Sequence, residues 1–423
     1  MTSTNAAPRI QAELRFGPQD KGIPEGAIGL TTQEFLATSP ELKDFWTPLV
    51  VLDDAAMTHN IDTMARWVAE RGLELMPHGK TTMAPTLWQR QLDTGSTGIT
   101  LATMGQVRTG RSFGLTSIML ANSAVDERSL RWLAAELADP EFRFVCWVDG
   151  LQNVEAMERV LSGLDLPRPV DVCVELGVPG RRAGARTLAD GVAIAERIAA
   201  STVLRLAGVS GYEGVVGSHR DPQTLAAARD FLERQIELHQ AISHLYDEGE
   251  VIVTAGGSGL FDVVAEVYAA AGAGQSATRF VLRSGAYIVH DDGIYEGMSP
   301  FGAAAEAGGP RFQVAMHGIG RVTSATEPGL VLLDGGKRDF PYDAGLPVPR
   351  GQAADLGEPW RPVGGSITEV NDQHAYLSTD VPVGSVVALG LSHPCTTFDK
   401  WRVLPVVDSW ESCRVVDLVR TWF

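Results

Sequence analysis

The feature that most constrains the fold is an alternation of short apolar segments with amphipathic segments between residues 47 and 290. Apolar runs such as TPLVVLD (47–53), GITLAT (98–103) and PVDVCVELG (169–177) are each followed by a stretch with helical periodicity. Strands that are apolar on both faces and joined by helices indicate parallel β/α units. We count about eight or nine such strands, which favours a closed (β/α)8 barrel of the TIM type over an open sheet.

The pattern changes after residue 310, where short β runs replace the helical periodicity. Segments such as RFQVAMHGIGRVTSAT (311–326) and SCRVVDLVRTWF (412–423) are separated by stretches rich in Gly, Pro, Asn and Asp. This pattern is typical of an antiparallel β domain. The sequence therefore predicts three parts: an N-terminal extension of residues 1–46 associated with the β domain, a barrel of residues 47–308, and a C-terminal β domain of residues 309–423.

Composition argues against nucleic-acid and membrane partners. The chain has 423 residues and a formal net charge of −17, and no stripe of Lys and Arg stands out, so its overall field repels phosphate backbones. We find no signal peptide and no apolar run long enough to span a bilayer. Four cysteines in such a chain do not make a disulfide framework, so we expect a reducing compartment, the cytoplasm.

Four motifs lie at the predicted carboxyl ends of barrel strands, where barrel enzymes carry their chemistry. Singly, each has an ordinary explanation: a loop lysine, a tight turn, a surface ion pair and a packing residue. Together, a lysine, an Arg, a Tyr and a Gly-rich turn at a helix N-terminus suit a phosphorylated aldehyde cofactor. The motifs are MPHGKTTMAP with Lys80, ELGVPGRRAG with Arg182, GVSGYEG with Tyr212, and TAGGSG with Gly256, Gly257 and Ser258.

A fifth motif, LSHPCTTFDKW, brings His393 and Cys395 two residues apart near the C-terminus. In an extended segment or a tight turn, both side chains can point to one side. An imidazole nitrogen and a thiolate suit Zn²⁺, and the thiolate disfavours Mg²⁺ or Ca²⁺. From the residues alone, His-x-Cys is a weak motif, and a hydrogen-bonded turn histidine with a small buried cysteine is the more common explanation.

With these motifs, the chain resembles the fold-type III pyridoxal-phosphate enzymes, which have an alanine racemase-like barrel followed by a β domain. It is most similar to their D-serine dehydratase and D-threonine aldolase group, through PHGKTT, ELGVPGRRAG, GYEG, AGGSG, RSGAYIVHD and LSHPCTTFDKW. The resemblance implies that Lys80 binds pyridoxal 5′-phosphate. It implies phosphate contacts from the AGGSG turn with Tyr287 nearby, and ring-side roles for Tyr212 and for Arg182 or its neighbour Arg181.

The resemblance also favours the zinc interpretation of His393 and Cys395, because dehydratases of this group carry His-x-Cys where aldolases carry His-x-Asp. It implies a pyridoxal-phosphate- and zinc-dependent dehydratase, an ammonia-lyase. Such an enzyme converts a D-β-hydroxy amino acid such as D-serine into a 2-keto acid and ammonia. Lys80 then acts on the α-proton, and His78 either assists catalysis or is a hydrogen-bonded histidine at a strand end.

Three alternatives remain open at this level. A retro-aldol lyase of the D-threonine aldolase type needs the same constellation with a different proton removed. A racemase needs a second acid/base, for which Tyr342 and Tyr376 are available by type, but it leaves His-x-Cys unexplained. A non-enzymatic pyridoxal-phosphate-binding protein leaves the β domain unexplained. By resemblance, we expect a homodimer with the active site near the subunit interface.

Overall fold

The computed structural model describes residues 14–217, 219–247, 249–275 and 277–423. Within these ranges the chain forms one sheet of eight parallel strands and a second, mixed sheet of nine strands. This arrangement confirms the predicted barrel followed by a β domain. The start of the predicted N-terminal extension, residues 1–13, lies outside the described residues.

The parallel sheet follows the order predicted from the alternation of strands and helices. Every neighbouring pair is parallel, and a single bridge between His78 and Thr100 joins the two edge strands. This bridge makes the sheet a barrel. The strands are β2 (Glu74–Leu75), β3 (Ile99–Leu101), β4 (Ser117–Leu120), β5 (Arg143–Val148), β6 (Val170–Leu176), β7 (Leu204–Gly211), β8 (Ile252–Ala255) and β9 (Arg279–Leu282).

Each barrel strand is apolar on both faces because it packs against two cores. In β5, Val145 and Trp147 belong to the small cluster inside the barrel, together with Met119 and Val281. The intervening Cys146 belongs instead to the large cluster between strands and helices. Alternation of side chains along a strand produces this division, so an apolar run without polar positions is what a barrel strand requires.

The helices that follow the barrel strands cover the outside of the barrel, each with an apolar stripe, whereas α1 and α11 belong to the β-domain side of the chain. In the helix after β4, Asp126 caps the N-terminus by accepting a hydrogen bond from Ser129 N, and Leu130, Leu133 and Ala134 are buried. The helices are α1 (Thr32–Leu36), α2 (Asp54–Ala69), α3 (Pro85–Asp93), α4 (Met104–Ser112), α5 (Glu127–Glu136), α6 (Leu151–Leu161), α7 (Leu188–Ala199), α8 (Pro222–Ala241), α9 (Phe261–Ala270), α10 (Ile294–Met298) and α11 (Cys395–Phe398). None of these helices is long and apolar enough to cross a bilayer.

The second sheet is mostly antiparallel and carries the C-terminal residues. Its central strand is β10, which pairs with β1, β11 and β15. The strands are β1 (Leu49–Asp53), β10 (Met316–Glu327), β11 (Leu330–Leu333), β12 (Val348–Ala353), β13 (Ile367–Val370), β14 (Ala375–Leu377), β15 (Val386–Gly390), β16 (Val403–Val407) and β17 (Val415–Arg420).

Strand β1 corrects the prediction that TPLVVLD opens the barrel. It pairs antiparallel with β10 and parallel with β16, so it belongs to the second sheet. Its pattern misleads because both faces are buried: Val50 and Leu52 pack into the barrel-side core, whereas Leu49 and Val51 pack into the core of the β domain. A strand that lies between two cores has the same continuous apolar sequence pattern as a barrel strand.

The described part of the N-terminal segment packs on the outer face of the second sheet. Phe35 contacts both Phe16 and Phe45 edge to face, with ring centroids 6.1 and 6.0 Å apart. These rings share a buried cluster with Leu49 and Val386 of the sheet. The segment therefore covers apolar side chains of the β domain.

On the same sheet, the ring of His317 lies against Trp410 with centroids 4.1 Å apart. Its Nε2 is buried and has no hydrogen-bond partner among the described residues. Burial lowers the pKa of His317 from 6.5 to about 4. As pH falls, this histidine therefore binds a proton near pH 6.5 in the unfolded chain but only near pH 4 in the native chain.

We expect His317→Phe to flatten the acid limb of the stability curve. The wild-type chain loses up to about 1.4 kcal/mol per pH unit through this histidine as pH falls from 6.5 to about 4, and Phe has no proton to bind. Urea unfolding across this range measures the slope. The matched control is His374→Phe at an exposed position, and identical slopes in both variants would contradict the prediction.

Candidate active site

A cavity of about 350 Å³ opens at the carboxyl ends of the barrel strands, where the β domain meets the barrel. Both domains contribute to its wall, because β2 leads into the lysine turn and β15 leads into the His-x-Cys turn. Most of the residues predicted for the site line this one cavity: His78, Lys80, Arg182, Tyr212, Gly257, Ser258, His393 and Cys395.

Two predicted residues, both described by the structure, do not line the cavity. Gly256 lies behind the wall in a left-handed conformation with φ of 107°. Tyr287 is 2% exposed, and its hydroxyl accepts a hydrogen bond from Gln91 Nε2 at 3.0 Å. Of the two arginines left open by the sequence, Arg182 lines the cavity and Arg181 does not.

Lys80 lies in a short helical turn, Gly79–Thr81, directly after β2. Burial lowers the pKa of its ammonium group, the charges of Arg182 and Arg283 lower it further, and Cys395 opposes the shift. A lysine with a lowered pKa supplies more neutral amine, the form that attacks a carbonyl carbon or takes a proton. The turn thus presents a reactive amine rather than a solvated charge.

His78 lies on the strand side of the same turn. Burial, followed by the charge of Lys80, lowers the pKa of His78 well below 6.5, so its ring is neutral. Its Nδ1 is buried and has no hydrogen-bond partner among the described residues. A buried orphan nitrogen on a cavity wall is a site where a bound molecule can donate a hydrogen bond.

The AGGSG turn divides its hydrogen bonds between two partners. The amides of Gly256 and Gly257 donate to the two oxygens of Glu213 at 2.9 and 2.6 Å. Ser258 Oγ lies 3.2 and 3.1 Å from the amides of Gly285 and Ala286. Ser258, Gly285 and Ala286 all line the cavity, and the Ser258 hydroxyl, which accepts from both amides and keeps its own proton to donate, fits a phosphate oxygen.

Two buried charged residues at the site were missed by the sequence prediction. Glu213, fully buried, holds the AGGSG turn as described above. Arg283 is 3% exposed and donates to Thr254 Oγ1 at 2.7 Å, while its Nε has no partner among the described residues. Both follow predicted barrel strands, in GVSGYEG and RFVLRSGAYI, so the strand-end rule was the available signal.

A third missed residue is Glu175, at the end of β6 on the cavity wall. Burial raises the pKa of its carboxyl group from 4.5 to about 7, against the opposing charges of Arg283 and Arg182. Arg182 itself lies over the Tyr212 ring, with its guanidinium carbon 4.5 Å from the centroid, and makes no ion pair with a described residue. The cavity therefore contains a cation without a protein counter-ion and a carboxyl group poised near neutrality.

The His-x-Cys turn is held by hydrogen bonds to three other segments. His393 has a φ of 67°, and its amide donates to Asp291 Oδ2 at 2.7 Å. Its Nδ1 lies 2.5 Å from Asp343 Oδ2. Cys395 Sγ lies 3.5 Å from Thr81 Oγ1, in the lysine turn. The turn is thereby tied to the barrel and to the β domain at once.

The two side chains of this turn also affect each other. A hydrogen bond to Cys395 raises the pKa of His393 to about 9, and Asp343 adds to the shift. Burial alone raises the pKa of Cys395, but the hydrogen bonds of His393 and Thr81 and the charge of Lys80 bring it below 9.0. Thiolate and imidazole are donors that zinc prefers. Within the described ranges, the structure has no group of three or more His, Cys, Asp or Glu side chains arranged to hold a metal ion.

The other residues considered from the sequence have structural partners. His290 Nε2 contacts Glu296 Oε2 at 2.9 Å, and Asp292 forms an ion pair with Arg350. The two tyrosines available to a racemase do not line the cavity: Tyr342 is exposed, and Tyr376 OH accepts from Asn371 Nδ2.

Comparisons with known proteins agree with this architecture. Residues 315–407 match the family model described as the putative serine dehydratase domain. Over 315 residues, the chain is 24% identical to 3-hydroxy-D-aspartate aldolase from Paracoccus denitrificans (strain Pd 1222), covering 72% of this chain and 76% of that protein. Over 138 residues, it is 26% identical to D-threo-3-hydroxyaspartate dehydratase from Delftia sp. (strain HT23), covering 33% and 35%.

Solved structures extend the likeness to about nine tenths of the chain. The crystal structure of D-threonine aldolase from Filomicrobium marinum matches with a TM-score of 0.74 and 25% identity, over 90% of this chain and 96% of that one. The family resemblance predicted from the sequence is confirmed. Alanine racemase from E. faecalis shares the fold, with a TM-score of 0.56 and 14% identity over 86% of this chain and 95% of that one.

We expect Glu213→Gln to destabilise the chain, because a glutamine offers one acceptor oxygen to two buried amides and turns its own NH₂ towards the other. An unsatisfied buried donor costs about 1–3 kcal/mol. The midpoint of urea unfolding should fall accordingly, while the dependence of the unfolding free energy on urea concentration stays the same. Glu237→Gln, on the exposed face of α8, is the matched control, and a Glu213→Gln midpoint equal to that control would refute this role.

Proposed function

We propose that this chain is a pyridoxal-phosphate- and zinc-dependent lyase that removes water from a D-β-hydroxy amino acid, giving a 2-keto acid and ammonia. The observation that carries the proposal is that Lys80 shares one cavity with His393 and Cys395. An amine for the α-carbon and two metal donors for the β-hydroxyl therefore face the same bound molecule. The similarity to dehydratases and aldolases supports a lyase of D-β-hydroxy amino acids, and the dehydratase relative supports elimination.

The cavity residues fit pyridoxal phosphate. Lys80 would hold its aldehyde carbon, and Ser258 with the amides of Gly285 and Ala286 would hold the phosphate. Gly257 packs against the Tyr212 ring so closely that an added Cβ would come within 2.7 Å of it, so a larger residue here would displace a side chain of the cavity wall. When bound, the cofactor withdraws electrons from the α-carbon and makes its proton acidic.

The donor pair fits zinc by type. His393 Nδ1 is engaged by Asp343, which leaves Nε2 and the Cys395 sulfur for the metal. When bound, zinc stabilises the negative charge that develops on a departing hydroxyl group. A D-threo-3-hydroxyaspartate dehydratase structure with a cysteine replaced by alanine is described as metal-free, and a histidine two positions earlier has been replaced in another. That spacing equals the spacing of His393 and Cys395.

The protein's own groups supply the proton transfers. Lys80, with its pKa lowered by burial, is the base that we assign to the α-proton. His78 beside it is neutral and therefore adds no positive charge next to the amine. Loss of the α-proton and the β-hydroxyl releases one water and leaves an enamine, which a second water hydrolyses to the keto acid and ammonia.

Arg182 directs the choice of substrate within this class. Its guanidinium group lines the cavity without an ion-pair partner among the described residues. A second carboxylate on the substrate would supply that partner. Two of the relatives are named for 3-hydroxyaspartate, which has such a carboxylate, whereas D-serine lacks one. We therefore rank D-threo-3-hydroxyaspartate above D-serine.

Retro-aldol cleavage is the second candidate, since 3-hydroxy-D-aspartate aldolase and D-threonine aldolase are both similar to this chain. The cysteine donor favours elimination, because the family resemblance implies Asp at this position in aldolases and Cys in dehydratases.

We further propose a homodimer in the cytoplasm. The exposed apolar side chains Tyr342, Leu346 and Val348 flank the His-x-Cys side of the cavity and support a subunit contact there.

A product assay separates these activities. The purified holoenzyme is incubated with D-threo-3-hydroxyaspartate, D-serine and D-threonine, with and without a metal chelator. We expect oxaloacetate and ammonia from the first substrate, loss of product with chelator, and recovery on adding Zn²⁺. Glycine with glyoxylate or acetaldehyde would identify an aldolase, L-serine a racemase, and intact substrates with retained cofactor absorbance a binding protein.

The role of Arg182 has its own test. Arg182→Gln should raise the KM for 3-hydroxyaspartate about tenfold or more, because a charge-assisted hydrogen bond is lost. The KM for D-serine should change much less, since the effect of Arg182 on Lys80 is the same for both substrates. Arg181→Gln removes the same charge one residue away and outside the cavity, so it is the matched control. Equal losses on both substrates would show that Arg182 does not read the second carboxylate.

A further inference from the structure

The loop between β11 and β12 places an unexpected carboxylate beside the His-x-Cys turn. Asp343 Oδ2 lies 2.5 Å from His393 Nδ1, and Asp343 Oδ1 accepts a hydrogen bond from Thr396 Oγ1 at 2.6 Å. The side chain of Asp343 is 42% exposed and that of His393 is 29% exposed, so this pair lies at the rim of the cavity. Neither the motifs nor the comparisons point to this residue.

An imidazole can present only one nitrogen to a metal while the other keeps its proton. A carboxylate at Nδ1 accepts that proton's hydrogen bond, selects the tautomer and fixes the plane of the ring. We propose that Asp343 is a positioning residue that presents Nε2 of His393 to the metal. This inference rests on the proposed zinc-dependent function.

The contacts around the turn divide the task of positioning the donors. Asp291 fixes the backbone of His393 through its amide, which leaves the ring free to rotate about two side-chain bonds. Asp343 acts on the ring, and Thr396 in turn fixes the Asp343 carboxylate. Thr81 holds Cys395 separately, so the loss of Asp343 should disturb the nitrogen donor and spare the sulfur donor.

The test is zinc affinity, measured on the pyridoxal-phosphate-loaded chain by competition with a chromophoric chelator. Asp343→Ala should weaken zinc binding about 10- to 100-fold. Asp343→Asn should lose less, because its amide oxygen still accepts the Nδ1 proton but carries no charge. In the Co²⁺-substituted variants, the thiolate-to-cobalt absorption should persist, since Cys395 remains in place.

Asp372→Ala is the matched control, an exposed aspartate of the same domain in a surface pair with Arg338. If Asp343→Ala does not fold, Thr396→Ala tests the same idea, because it frees the Asp343 carboxylate and should weaken zinc binding in the same direction. Wild-type zinc binding that requires Cys395, together with control-level affinity in the Asp343 or Thr396 variant, would overturn the positioning role alone. A wild-type chain that binds no zinc would overturn the proposed metal dependence as well.

Discussion

The carboxylate of Asp291 sets the relation between the two domains on which the rest of the site depends. It is fully buried, and it accepts the amides of Gly293 and Tyr295 in the last barrel loop and the amide of His393 in the β domain. Burying an anion is costly unless such donors surround it. The segments must therefore keep this geometry together, and that requirement brings His393 and Cys395 to the mouth of the barrel that holds Lys80.

Electrostatics inside the cavity differ from those of the whole chain. The net charge is −17, yet Lys80, Arg182 and Arg283 line the cavity, while Glu175 has a raised pKa. The carboxylate of Glu213, behind the cavity wall, accepts hydrogen bonds from two backbone amides. The local field therefore favours anions such as a phosphate or a carboxylate, which an average over the sequence conceals.

The architecture was predictable because strands of a parallel sheet covered by helices need apolar side chains on both faces, and the count of about eight or nine such strands favoured a barrel over an open sheet. The same rule misassigned β1, since periodicity reports burial but not which strand lies alongside. Lys80, His393 and Cys395 were assigned through the resemblance to a known family, because each of them alone has an ordinary structural explanation; the structure brings all three to one cavity. Glu213 and Asp343 were not predicted, because each matters only through a partner that folding brings near.

The residues that hold the side chains of His393 and Cys395 come from separate parts of the chain. Asp291 belongs to the last barrel loop, Asp343 to a loop of the β domain, and Thr81 to the lysine turn itself. A shift of the β domain against the barrel would therefore move the turn that carries His393 and Cys395 relative to Lys80. The proposed elimination needs the α-proton and the β-hydroxyl to be engaged together, so packing between the domains would set the geometry of that proposed reaction.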